Sequence, residues 1–171
     1  MARVLSIPME VGGGIRTEQT IKEYLDMGIH RVIIGSKAAA SPYFAIEAAK
    51  TYGADRIAVS IDAKGDEVAT HGWVEGSGQK VITFAETLLS HGVNTLIYTD
   101  ISRDGMLVGP NFEMMAKLQA LPGIHLIASG GVSCASDLKR LAAMGVYSTI
   151  TGKALYEEKV TMKEIMEIQE K

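Results

Sequence analysis

GGIRTEQTIKEYLDMGIHRVIIG, residues 13–35, is matched 117 positions later by GGVSCASDLKRLAAMGVYSTITG, residues 130–152. Gly13, Gly14, Gly28 and Gly35 fall without a gap on Gly130, Gly131, Gly145 and Gly152, Met27 on Met144 and Lys22 on Lys139. Each copy opens on a glycine pair. Apolar residues then recur at helical spacing (Ile21 and Leu25; Leu138 and Leu141), and a glycine stands where the helix should stop. A short apolar run closed by another glycine follows. The unit is strand, glycine, helix, glycine, strand, glycine, and it occurs twice.

Outward from the repeat, short runs rich in Val, Ile and Thr alternate with segments of helical period, the pattern of βα units around a parallel sheet. The predicted strands are Ile7–Val11, Arg31–Ile34, Arg56–Ile61, Thr95–Thr99, His125–Ser129 and Tyr147–Thr151. Two units, beginning at Arg56 and Thr95, lie between the copies, so one half of a duplicated barrel spans four units. The counterparts of those two units would fall before residue 1. The expected fold is therefore α/β, a partial TIM (β/α)8 barrel of six βα units (strands 3 to 8), with residues 1–171 forming a single domain. About sixty residues of a typical barrel are expected to be absent. The alternative is an open six-unit sheet, complete as it stands.

With 47% hydrophobic and 22% charged residues, the chain has the make-up of one soluble globular domain with a real core. The net charge is −3, the isoelectric point is near 5.8, and no stretch of Lys or Arg forms a stripe, which argues against a nucleic-acid or membrane surface. Any anionic ligand must then be held locally. Cys134 is the only cysteine and has no internal disulfide partner, no signal peptide is visible at the start, and the cytosol is the expected compartment. The histidines at 30, 71, 91 and 125 lack metal-ligand spacing.

In parallel α/β folds the site lies at the carboxyl ends of the strands, where βα loops and helix N-termini converge. Gly13, Gly14 and Arg16 follow the first strand there, and Gly130 and Gly131 are the repeat mates of the glycine pair. The next strand of each copy ends in Gly35-Ser36 or Gly152-Lys153. Each half thus offers a glycine cradle for one phosphate, although such glycines also serve as plain tight turns. Asp62 ends its strand at the same rim and is the candidate general acid; capping of the next loop is the competing role. The stretch Tyr98–Gly105 concentrates hydroxyl and charged groups at a strand end, with Thr99 and Asp104 as candidates for substrate contact and Asp100 less clearly so; Asp104-Gly105 also suits a turn. The polar segment Lys64–Gln79 reads as a loop carrying Trp73, the only Trp, which can stack on a flat ring or pack on the barrel top.

These residues resemble the HisA family of phosphoribosylformimino-5-aminoimidazole carboxamide ribotide isomerases. The resemblance runs through nearly the whole chain and is carried by Glu10–Arg16, Val32–Ser36, Ser60–Ala63, His71-Gly72-Trp73, Tyr98–Gly105, Ala128–Val132 and Gly152–Leu155. It implies histidine biosynthesis and an Amadori rearrangement, aminoaldose to aminoketose, that uses neither metal nor cofactor. By the resemblance Asp62 is the proton donor to the ribose ring oxygen, Thr99 and Asp104 support the substrate, and Trp73 covers it. The base is implied to be an aspartate on a first strand that has no match here, so the 171-residue chain alone is expected to be inactive. The expected partner is a small bisphosphorylated molecule, and full-length members are expected to be monomers. The sister cyclase subunit HisF shares the repeat and the cradles, but His71-Gly72-Trp73 and Thr99-Asp100 argue against it. The same motifs also suit a dual-substrate isomerase that takes phosphoribosylanthranilate as well, and the cradles by themselves suit a non-catalytic phosphate-binding fragment.

Overall fold

The computed structural model of the chain describes residues 5–70 and 75–169. The first repeat copy contains β1 (Glu10–Gly12), α1 (Glu18–Asp26), β2 (Arg31–Ile34) and α2 (Ser36–Ala40), and α3 (Pro42–Tyr52) follows. β3 (Ile57–Lys64) leads into β4 (Glu67–Thr70), β5 (Glu75–Lys80) and α4 (Val81–Ser90). Next come β6 (Thr95–Asp100), α5 (Phe112–Gln119) and β7 (His125–Ser129). The order ends with α6 (Ala135–Ala143), β8 (Ser148–Thr149), α7 (Lys153–Tyr156) and α8 (Met162–Gln169).

The main sheet runs β1-β2-β3-β6-β7-β8, and every pairing along it is parallel. Alternation along each strand sends successive side chains to opposite faces. Ile57, Val59 and Ile61 of β3, with Leu96 and Tyr98 of β6, face the helices and are buried with Ile21, Phe84, Leu88 and Leu118 in the main core. Each such apolar side chain contributes about 1.5–3 kcal/mol on burial. On the opposite face Ala58, Ile97 and Ile127 form a separate cluster with Ile33 against it, and Ile97 and Ile127 are only 3% and 4% exposed. That cluster draws on strands alone, so curvature of the sheet must close it. The architecture is six consecutive βα units of a (β/α)8 barrel, as the repeat predicts.

The two copies end their helices with the same backbone bonds. Met27 N–H donates to Glu23 O and Met144 N–H to Arg140 O, both at 3.0 Å; Ile29 N–H donates to Tyr24 O at 3.1 Å and Val146 N–H to Leu141 O at 3.2 Å. These bonds close α1 and α6 with the same glycine-terminated turn, at Gly28 and Gly145. Ile15 and Val132, which are repeat mates, are both buried. The helix starts differ. Thr17 caps α1 through its side-chain oxygen, which accepts from Thr20 N–H. At α6 the Asp137 carboxylate reaches back to accept from the Ser133 amide at 2.9 Å and the Ser133 hydroxyl at 2.7 Å.

Four strand boundaries differ from expectation. Predicted at Ile7–Val11, the first strand is observed at Glu10–Gly12; Pro8 has no N–H to donate and Ile7 is 65% exposed. The last shortens from Tyr147–Thr151 to Ser148–Thr149 at the other end of the sheet path, although Ile150 N–H still donates to Ala128 O. β6 runs one residue further than predicted, to Asp100. β3 starts after a 3₁₀ turn at Ala54–Arg56 and continues to Lys64, because its end pairs antiparallel with β4, Ala63 opposite Val68. The predicted loop Lys64–Gln79 thus contains paired strands β4 and β5. Among the described residues, no helix is long and apolar enough to cross a membrane.

Candidate active site

The parallel register brings Asp62, Thr99 and Ser129 into one row: Asp62 lies opposite Thr99, and Thr99 opposite Ser129. All three have the parity that faces the concave side, two residues beyond Ser60, Ile97 and Ile127. The row below is thus largely apolar and the row at the rim is polar. Ser60, on the same face as Asp62, donates its hydroxyl to Asp62 Oδ1 at 2.9 Å and so orients the carboxylate. Thr99 is buried, whereas Asp62 and Ser129 are half-buried. Sequence reasoning gives Ser60 no role of its own, although it opens the Ser60–Ala63 motif and stands two residues before Asp62 in a strand.

Gly13 and Gly14 follow β1 with φ of 110° and 67°, and Gly130 and Gly131 follow β7 with φ of 83° and 89°. Side-chain-bearing residues avoid this region, so glycine is required in both copies. Their surroundings differ. A Cβ on Gly13 or Gly14 would meet nothing within 4 Å, but one on Gly131 would lie 2.5 Å from Gly109 O. Gly35 and Gly152 have nearly the same backbone, φ −101° ψ −107° and φ −103° ψ −96°, and their carbonyls start α2 and α7 with equivalent bonds to Ala38 and Leu155 N–H. Arg16 and Ser36 stand exposed beside the first pair of turns.

At the second copy the predicted residues converge. Asp104, Ser129, Gly130, Gly131, Gly152 and Lys153 line a cavity of about 250 Å³. Lys153 Nζ donates to Gly105 O at 2.9 Å and has Glu157 at 3.6 Å, which ties it to the loop that carries Asp104. Asp104 is exposed. Asp100 has the opposite parity to Thr99, is 3% exposed and faces away from the concave side. Its Oδ1 accepts from the Ser102 amide at 3.0 Å and hydroxyl at 2.6 Å, and its Oδ2 accepts from Asn111 Nδ2 at 2.8 Å. Asn111 also donates to the Tyr98 hydroxyl, and burial with Asp100 nearby pushes that phenol far above its ordinary pKa, so it stays neutral. Trp73 and its neighbours His71 and Gly72 lie outside the described residues.

A parallel βα barrel with its polar side chains and matched glycine turns at the carboxyl strand ends belongs to the class of barrels that hold small ligands at that face. The chain belongs to the histidine biosynthesis protein family, whose model matches residues 1–161. A relative from Listeria welshimeri is 50% identical over 169 residues, which cover 99% of this chain and 70% of the relative. It is named 1-(5-phosphoribosyl)-5-((5-phosphoribosylamino)methylideneamino) imidazole-4-carboxamide isomerase. Relatives of the same name from Alkaliphilus metalliredigens and Lachnoclostridium phytofermentans are 48% and 45% identical, each alignment covering 95% of this chain and 68% of the relative.

Proposed function

We propose that the chain is an aldose–ketose isomerase of histidine biosynthesis, and that its ligand is the aminoaldose with two phosphoribosyl groups for which its relatives are named. The observation that carries this reading is the pair of glycine turns. Two structurally matched cradles at one barrel face suit a ligand with a phosphate at each end, and the Asp62-Thr99-Ser129 row suits the reacting sugar between them. Gly13, Gly14, Arg16, Gly35 and Ser36 would hold one phosphate, and Gly130, Gly131, Gly152 and Lys153 the other. Residues 1–171 would act as one cytosolic domain, with no nucleic-acid or membrane partner, and full-length members of the family would be monomers.

In the proposed reaction Asp62 donates a proton to the ribose ring oxygen as the bond from that oxygen to C1 breaks. The nitrogen lone pair on C1 forms the imine. Loss of the C2 proton then gives an enolamine, and protonation of C1 with loss of the proton on the C2 hydroxyl yields the aminoketose, so C2 is oxidised as C1 is reduced, protons taken up and released are equal, and no outside oxidant enters. Thr99 and Asp104 would hold the open-chain sugar for this step. Removal of the C2 proton is assigned to no residue of this chain.

Calorimetric titration separates this reading from one in which the glycines only make turns. The bisphosphate aminoaldose should bind about 100-fold more tightly than ribose 5-phosphate, because a second tethered phosphate engages at high effective concentration. Equal affinities would contradict the two-cradle reading.

A further inference from the structure

We propose that Asp100 is a positioning residue: from behind the site it fixes the turn bearing Asp104 against the Gly130-Gly131 cradle, so that the two are set as one unit. The inference deepens the proposed function and rests on it for the identity of the ligand alone. A carboxylate that is 3% exposed and points away from the concave face does not touch the ligand. Its backbone carbonyl accepts from the Arg103 and Asp104 amides, both at 3.0 Å, which places Asp104 at a fixed step beyond Asp100. Its side chain holds the same turn a second time through Ser102.

The link then runs onward to the cradle. Arg103 Nε lies 3.7 Å from Asp100 Oδ2, and Arg103 Nη1 donates to Gly109 O at 3.1 Å. Gly109 N–H in turn donates to Gly131 O at 2.9 Å, and the place a Cβ would take on Gly131 is filled by Gly109 and Arg103. Asn111 completes the support, because its Nδ2 donates to Asp100 while its Oδ1 caps α5 by accepting from Met114 N–H at 3.1 Å. The loop is therefore anchored at its start by Asp100, at its end by Gly131, and at Gly105 by Lys153 from the other side of the cavity. A buried charge with this many donors keeps its geometry only while every donor stays in place.

The test is reciprocal exchange in the full chain. Asp100→Asn keeps an oxygen for Ser102 but turns an amide toward Asn111 and Arg103, placing donor against donor. The double variant Asp100→Asn with Asn111→Asp restores a donor–acceptor pair and the buried negative charge. Amide hydrogen exchange at Asp104 and Gly109 should quicken about tenfold or more in the single variant and return toward wild type in the double one. Inorganic phosphate, followed by the Gly130, Gly131 and Gly152 amide shifts, should bind about tenfold more weakly in the single variant, with recovery in the double and no change at Gly13 and Gly14. Arg103→Gln alters a half-exposed side chain, should fold in any case, and should show the same effects at Gly109. Unchanged exchange and unchanged phosphate affinity in a folded Asp100→Asn or Arg103→Gln would overturn the proposal. So would a loss that the exchanged pair fails to restore. If wild type binds no phosphate at the second cradle, the functional reading fails while the exchange data still decide the positioning role.

Discussion

Replacing Asp62 by Asn should lower kcat for the aldose-to-ketose conversion by a factor of about 10²–10⁴, the usual worth of a placed general acid. Asparagine fits the same space and can still accept from the Ser60 hydroxyl, so the side chain remains held while its transferable proton is removed. Binding of the bisphosphate should therefore change by only about threefold or less, since the lost interaction belongs to the transition state. The measurement is single-turnover conversion in whichever assembly supports it. That is this chain alone, or the chain supplied with the part of a relative that lies outside the aligned region. A variant with undiminished kcat would remove Asp62 from the chemistry and leave it as a loop cap.

Gly131→Ala should be the most destabilising of the cradle substitutions, by about 3 kcal/mol, with Tm lower by roughly 10 °C. Two costs combine. The residue has φ of 89°, and the new Cβ would lie 2.5 Å from a backbone oxygen and 2.9 Å from a backbone carbon of Gly109, neither of which can rotate away. Gly13→Ala meets only the first cost, because nothing lies within 4 Å, and should lose about 1–2 kcal/mol. Thermal unfolding of the two variants side by side tests the asymmetry. Equal losses would mean that the loop around Gly109 yields readily and does not lock the second cradle.

That asymmetry shows what the sequence can and cannot disclose. The repeat, the helix stops and the strands Arg31–Ile34 and His125–Ser129 were legible because they depend on local chemistry: β-branched runs, helical spacing, and glycine where positive φ is needed. The convergence of Asp104, Gly130, Gly131, Gly152 and Lys153 on one cavity was legible too, since a parallel sheet sends every βα loop to the same end. The β4-β5 pairing was not. Glu75–Lys80 is rich in Gly, Ser and Gln and has little strand propensity of its own, and β4 is held by antiparallel register with β3 and by burial of Val68. Nor was the role of Asp100, which neighbours Thr99 in sequence but faces the other way and has a partner, Asn111, eleven residues on. An Asn directly before a helical run signals a cap but does not say that its amide serves a buried carboxylate. Likewise, identical glycine pairs gave no sign that one is packed against Gly109 and the other open.

The most direct test of the central claim, one ligand held by two matched cradles, is titration of the ¹⁵N-labelled chain with the bisphosphate aminoaldose while the amides of Gly13, Gly14, Gly130 and Gly131 are followed together. The account predicts that all four shift along one saturation curve with a single Kd. Movement at one pair alone, or at neither, would contradict it.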